Sequence, residues 1–305
     1  MSKLSPHLRA VLQALFVTFL WSTSWVLIKF GLEDIPPLVF AGLRYMLAFL
    51  VLLPFLWRSS DPNSSVFRVP SSVKILTRAD WGRLLLLGVV YYALTQGLSF
   101  VALAYAPAVS VTLILSFTAV FVAIFGILTL GERPNGGQWL GMGLALAGAM
   151  VYFYPFGLGD AYLIGIVAAV VCMLANSASA LLGRYVNRAG TLKPLTVTVI
   201  SMGIGATLML AAGLLLEGMP TLSWQNWLLI AWLAVVNTAV AFTLWNHTLR
   251  TLPAMESTVI NNTMTVQIAI LAVLFLGETV GARELLGLTA VVVGTFLVQV
   301  WRRRS

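Results

Sequence analysis

Charge is what this chain has least of. Only 9% of its 305 residues are Asp, Glu, Lys or Arg, against about 25% in an ordinary soluble domain. That shortage leaves too little polar surface to cover a water-soluble particle. Cysteine is nearly absent. The single Cys172 excludes an intrachain disulfide and a thiolate metal cluster. Histidine occurs at His7, in the N-terminal tail, and at His247, alone. No metal-ligand cluster, phosphate loop or Walker-type segment is present, so nothing marks a metal or other cofactor, an enzyme's catalytic constellation or ATP as energy source. The net charge of +8 does not point to nucleic acid, because the basic residues flank hydrophobic runs instead of forming a patch.

Hydrophobic sequence is what the chain has in excess, at 60%. Apolar runs of about 20 residues recur from end to end, long enough to cross a hydrocarbon core of about 30 Å as helices. Barrel strands would alternate and be about half as long. The runs predict ten spans, at 9–29, 37–57, 81–104, 107–130, 137–155, 160–182, 195–216, 225–249, 254–276 and 284–301. The first is too long for a signal peptide and lacks a clear small-residue cleavage site, so it reads as a retained span. Pro37, Pro107 and Pro253 start spans and Pro155 ends one, as fits a residue tolerated in a first turn but not in a helix interior.

With ten spans both termini share a side, and 15 of the 18 Lys and Arg residues fall there. Lys29 and Arg283 lie opposite, and Arg44 lies within a span. That bias predicts cytoplasmic termini and a cell (inner) membrane protein whose surroundings are the lipid bilayer.

The chain also repeats itself. Leu98–Gly148 matches Leu244–Gly294 without a gap, at an offset of 146 residues. Landmarks include Ala108/Ala254, Leu130-Gly131-Glu132/Leu276-Gly277-Glu278, Gly141/Gly287 and Gly148/Gly294. Two units are expected, 1–157 and 158–305, each of five spans. Five is odd, so the second unit enters the membrane upside down. The expected fold class is an all-α integral membrane protein of ten transmembrane helices in two inverted five-helix repeats, an arrangement that supports alternating access.

Several stretches together resemble the EamA family of the drug/metabolite transporter superfamily. They are Phe19-Leu20-Trp21-Ser22-Thr23-Ser24-Trp25 with Lys29, Pro36-Pro37, Leu43-Arg44-Tyr45, and the paired Leu-Gly-Glu segments, each followed nine residues after its Glu by Gly141 or Gly287. The resemblance covers nearly the whole chain. It implies movement of small metabolites through a central cavity, and it extends to the family's aromatic-amino-acid exporter branch. It does not choose among amino acids, nucleotide-like compounds, sugars and drugs.

Polar groups at membrane depth cost free energy unless they are paired or face water, so they point toward the pathway. The candidate substrate contacts are Trp21, Ser24 and Trp25 in span 1, Tyr91, Tyr92 and Gln96 in span 3, Asn176 and Ser179 in span 6, Asn237 in span 8, and Asn261 and Asn262 in span 9. Each has a plainer reading as helix-to-helix packing or as a hydroxyl bonded within its own helix. Two roles fit Arg44: snorkelling to the outer surface, or facing the cavity as an anion contact. Lys29 and Arg184 hold matched span ends, as dipole-satisfying cations or as gates at the two mouths. Glu132 and Glu278 sit in short connections before a helix, where a carboxylate caps free N–H groups.

The reading is a secondary carrier, monomer or homodimer, that moves a small amphipathic metabolite by alternating access. Export of aromatic or large apolar amino acids suits a cavity mixing Trp and Tyr faces with Asn, Ser and Gln. Drug or quaternary-ammonium efflux is the alternative within transport, though no buried carboxylate completes a cation site. A membrane-embedded enzyme or sensor is the alternative of another class.

Overall fold

The computed structural model describes residues 5–58, 77–130, 135–154, 159–188, 194–248, 251–252 and 254–300. Among these, all regular structure is helical. The helices are α1 (Pro6–Gly31), α2 (Pro37–Arg58), α3 (Arg78–Leu87), α4 (Gly97–Tyr105), α5 (Ala108–Ser116), α6 (Thr118–Leu130), α7 (Gly136–Phe153), α8 (Asp160–Arg188), α9 (Pro194–Leu216), α10 (Trp224–Ala234), α11 (Ala241–Thr248), α12 (Ala254–Phe275) and α13 (Ala282–Val300). A π-helical segment, Gly88–Gln96, joins α3 to α4, and a second, Val235–Val240, joins α10 to α11.

Six stretches are long and apolar enough to cross a membrane by length and composition: Pro6–Gly31, Pro37–Phe55, Arg78–Tyr105, Asp160–Gly183, Leu195–Leu216 and Trp224–Trp245. Shorter apolar helices run over Ala108–Val122 and Ile260–Phe275. The expected continuous span at 107–130 is instead two helices, broken at Phe117, whose N–H turns back to Ile114.

Local chemistry sets several starts. Pro6 lies in the first turn of α1, and the Ser5 hydroxyl accepts from Leu8 N–H. Thr77 with Asp80 and Asn135 with Gln138 form reciprocal capping boxes at α3 and α7.

Two helix pairs make the broadest contacts, α7 with α13 and α2 with α9. In the first, the backbones touch. A β-carbon built on Gly141 would sit 2.7 Å from the Gly294 carbonyl oxygen, and one on Gly148 would sit 2.7 Å from that of Gly287. The start of each helix thus meets the end of the other, so the pair is antiparallel. Without a hydrophobic drive between helices in lipid, such close approach is how they gain packing energy. In the second pair Gly42 lies against Leu210, while Gly213 lies against Leu38 and Val39, again antiparallel. Around these pairs α1 packs on α12 and α11, and α8 packs on α4, α5 and α6.

Candidate functional site

The two π-helical segments fall at equivalent places. Subtracting the 146-residue offset from 235–240 gives 89–94, inside 88–96. A π turn releases backbone groups from the regular ladder, and such turns are frequent at functional sites. Here the neighbours use what is released. Thr95 Oγ1 donates to the Val90 carbonyl five residues back, and Thr238 Oγ1 does the same to Leu233. Cys172 Sγ donates from α8 to the Thr95 carbonyl at 3.0 Å.

A polar core gathers between these segments and α2. Arg44 is only 5% exposed, which rules out snorkelling to the outer surface. Its Nε donates to Thr238 Oγ1 at 3.2 Å, and its guanidinium lies 5.3 Å from the Tyr45 ring and 5.9 Å from that of Phe100. The Tyr45 hydroxyl donates to Gln96 Oε1 at 2.6 Å. Tyr45 also meets Tyr92 edge-on at 5.8 Å, and Tyr92 meets Tyr91 at 4.8 Å. Asn237 is fully buried, and its amide nitrogen donates to the Leu20 carbonyl and to Thr23 Oγ1 on α1. Of the expected contacts, Tyr91, Tyr92 and Gln96 therefore share this core with Arg44, while Asn237 holds the π-helical segment to α1.

Trp21 packs its ring 5.3 Å from both Phe242 and Trp245. From the next residue of α1, Ser22 Oγ donates to Gln267 Oε1 at 2.9 Å, and Gln267 Nε2 in turn reaches Thr18 and Thr263. That network closes α1 on α12. Ser24 and Ser179 donate their hydroxyl protons to carbonyls three residues back in their own helices, Trp21 and Asn176. Trp25 packs partly buried against the main hydrophobic core. Asn176 Nδ2 donates to Thr118 Oγ1 at 3.3 Å. Trp21 thus faces α11, and Asn176 faces α6, so the matched pair divides between two polar clusters. Asn261 is exposed on α12 and Asn262 half-buried.

The charged residues at helix ends reach across to other helices. Glu278 accepts from the N–H groups of Ala108 and Val109, the start of α5 in the first half of the chain. Gly277, with φ of 65°, makes the turn just before it. The helix that follows Glu278 is served instead by Glu284, which accepts from Gly281 N–H. Lys29 donates to the carbonyls of Leu103 and Ala106, at the end of α4. Lys29 and Glu278 therefore hold the α4–α5 turn from its two sides. Glu132 lies outside the described residues, as does the side chain of Arg184.

Sequence reasoning missed three participants. Glu217 accepts from the N–H groups of Leu38 and Val39 at the start of α2; its signal was a lone acid after an apolar run. Tyr45 could have been read with its neighbour Arg44. Phe242 gave no signal, being one of 16 phenylalanines in an apolar chain. Among the described residues no three His, Cys, Asp or Glu side chains gather as a metal site.

Apolar helices wrapped around a buried polar core define a membrane transport protein. The family is explicit: a model described as "EamA-like transporter family" matches residues 8–154 and 163–300, and the chain belongs to that family. The resemblance carried by the Trp21–Trp25 stretch and the paired Leu-Gly-Glu segments thus holds. The chain is 27% identical over 299 residues to a "Probable amino-acid metabolite efflux pump" of Salmonella typhimurium, covering 93% of this chain and 92% of that protein. It is 28% identical over 304 residues to "Uncharacterized inner membrane transporter YedA" of Escherichia coli K12, covering 93% and 89%. It shares its fold with a solved crystal structure at a TM-score of 0.65 and 21% identity, over 97% of this chain and 99% of the other.

Proposed function

We propose that the protein is a secondary carrier of the inner membrane that moves small amphipathic metabolites by alternating access, with amino acids of aromatic or large apolar side chain as its cargo. It has no enzymatic role. One observation carries the reading: the glycine contacts of α7 and α13 are reciprocal. Gly141 maps onto Gly287 and Gly148 onto Gly294 by the 146-residue repeat, so the contacts Gly141–Gly294 and Gly148–Gly287 are one contact seen twice. Repeat mates that pack antiparallel in this way support ten spans in two inverted units, 1–157 and 158–305. Inverted units can exchange conformations and open the core to either side in turn. The two separate stretches matched by the family model, 8–154 and 163–300, agree with that division.

The cargo class rests on the Salmonella relative's printed description and on the mixed aromatic and amide character of Trp21, Trp25, Tyr91, Tyr92, Gln96, Asn176 and Asn237. Location follows the YedA relative's description, and cytoplasmic termini follow the cation bias. Cysteines introduced at Ser2 and Ser305 are expected to resist an impermeant thiol reagent in intact cells.

The deciding experiment is reconstitution into liposomes with a panel of labelled amino acids, with and without a proton gradient. Saturable movement of phenylalanine, tryptophan or leucine above empty liposomes is expected. Movement of no amino acid would overturn the cargo assignment.

A further inference from the structure

Arg44 combines deep burial with unmet valence. A guanidinium carries five N–H donors, and among the described residues one of them, at Nε, has a hydrogen-bond acceptor, Thr238 Oγ1. Among the described residues no carboxylate lies within 4.0 Å of it. Glu217, the acid at the start of the same helix, is committed to the N–H groups of Leu38 and Val39. The rings of Tyr45 and Phe100 offset part of the charge, but rings accept no N–H in the guanidinium plane. Removing a cation from water costs several kcal/mol unless an anion or dense hydrogen bonding compensates. Among the described residues nothing supplies either to the two terminal amino groups.

An unmet acceptor belongs to the residue just before Thr238, the side chain that Arg44 Nε reaches. Asn237 precedes Thr238 in the π-helical segment, and its Oδ1 is buried with no hydrogen-bond partner. The amide cannot be turned over to relieve this. Its nitrogen donates to the Leu20 carbonyl, and a flip would set oxygen against oxygen there. Donors without an acceptor and an acceptor without a donor, joined through Thr238, describe the negative of a ligand. That ligand has an anionic planar group and an N–H donor.

Resting on the transport reading, we infer that Arg44 binds the carboxylate of the transported molecule through its terminal amino groups, and that Asn237 Oδ1 accepts from an ammonium or amide N–H of the same molecule. The Arg44 fork matches a carboxylate with two parallel hydrogen bonds. The Tyr45 ring beside the guanidinium packs on Tyr92, which packs on Tyr91, an aromatic cluster suited to an apolar side chain. Carriage is therefore selective for free acids over their amides and over the corresponding amines.

The test uses the full-length protein, in nanodiscs for binding and in liposomes for transport. Phenylalanine is compared with phenylalanine amide and phenethylamine, and leucine and tryptophan with their amides. Sodium chloride and sodium phosphate serve as inorganic anions. The parent protein is expected to bind each acid about tenfold more tightly than its amide, as befits a hydrogen-bonded charge pair. Arg44→Gln is expected to abolish that preference while still binding the amide. Arg44→Lys, which keeps the charge and loses the fork, keeps a smaller preference. Asn237→Leu is expected to weaken the acid and the amine alike.

Equal binding of acid and amide by the parent overturns the assignment, and needs no variant to fold. So does an acid preference that survives in Arg44→Gln, or stabilisation by chloride or phosphate as strong as that by phenylalanine, which would make this an inorganic anion site. Liposomes that move acid and amide alike refute the Arg44 assignment and leave the transport reading standing. Liposomes that move no panel compound refute both.

Discussion

The α7–α13 contact and the core around Arg44 are built from opposite materials. At α7–α13 four glycines bring two backbones together, each glycine set against a backbone carbonyl or amide of the other helix. Around Arg44, long polar and aromatic side chains from α2, α4 and both π-helical segments meet, and donors and acceptors are left over. The first region spends its sequence on fit, since any added atom collides. The second keeps unmet groups that packing alone would never retain, because each costs folding free energy. One region is a joint and the other is the proposed binding place, and mutations should separate them.

The largest effect is expected in the joint. A β-carbon at Gly148 would lie 2.7 Å from the Gly287 carbonyl oxygen and 2.8 Å from the Ala290 Cβ. Overpacking of this kind costs about 1–3 kcal/mol for small insertions and more where backbone blocks relief. Gly148→Leu should therefore abolish a monodisperse peak in detergent size-exclusion chromatography. A well-folded Gly148→Leu protein would remove the contrast with the polar core.

Next comes the aromatic flank of the core. Trp21→Ala deletes a ring that packs on Phe242 and Trp245. It should weaken amino-acid binding about tenfold, the equivalent of about 1.4 kcal/mol, and lower the thermal midpoint only modestly. Calorimetric binding beside a melting curve checks this. Asn176→Ala tests the other cluster, and parent-like binding by both variants would place the site elsewhere.

A smaller effect is expected at the α4–α5 turn. Glu278→Gln keeps the shape and removes the charge that meets the Ala108 and Val109 N–H groups. A loss of about 1 kcal/mol in stability is expected, with unchanged pH dependence of transport per folded molecule. Altered pH dependence in a well-expressed variant would turn this cap into a coupling residue. The smallest effect belongs to Ser24→Ala. That hydroxyl proton is committed to the Trp21 carbonyl, so affinity should change less than about twofold.

The helices and the family were legible because both are written in long-range composition: runs of apolar residues, and a repeat at a fixed offset. The glycines at 141, 148, 287 and 294 were legible as repeat landmarks. Which helix each one faces was not, since that is a tertiary fact. The face turned inward by Arg44 could not be read for a physical reason. A helix that is hydrophobic all round has no polar stripe to set its phase, so burial and snorkelling stayed equally open. The π-helical segments left no sequence signal, because an i→i+5 turn uses the same residues as its neighbours. Glu278 was expected to serve a helix beside it in sequence, whereas the N–H groups it meets lie 170 residues away at the start of α5, beyond any local pattern.

Cys172 gives the molecule its own clock. It is the single cysteine in the sequence, it has no accessible surface, and its Sγ is bound to the Thr95 carbonyl inside a π-helical segment. A maleimide can reach it only when α8 parts from that segment, so the labelling rate counts openings of the resting protein. No engineered probe or cysteine-free background is needed to watch a transported compound slow or quicken that rate. In exposures shorter than those openings, the same shelter leaves the parent chain unlabelled, so that a cysteine added at the surface can be read directly.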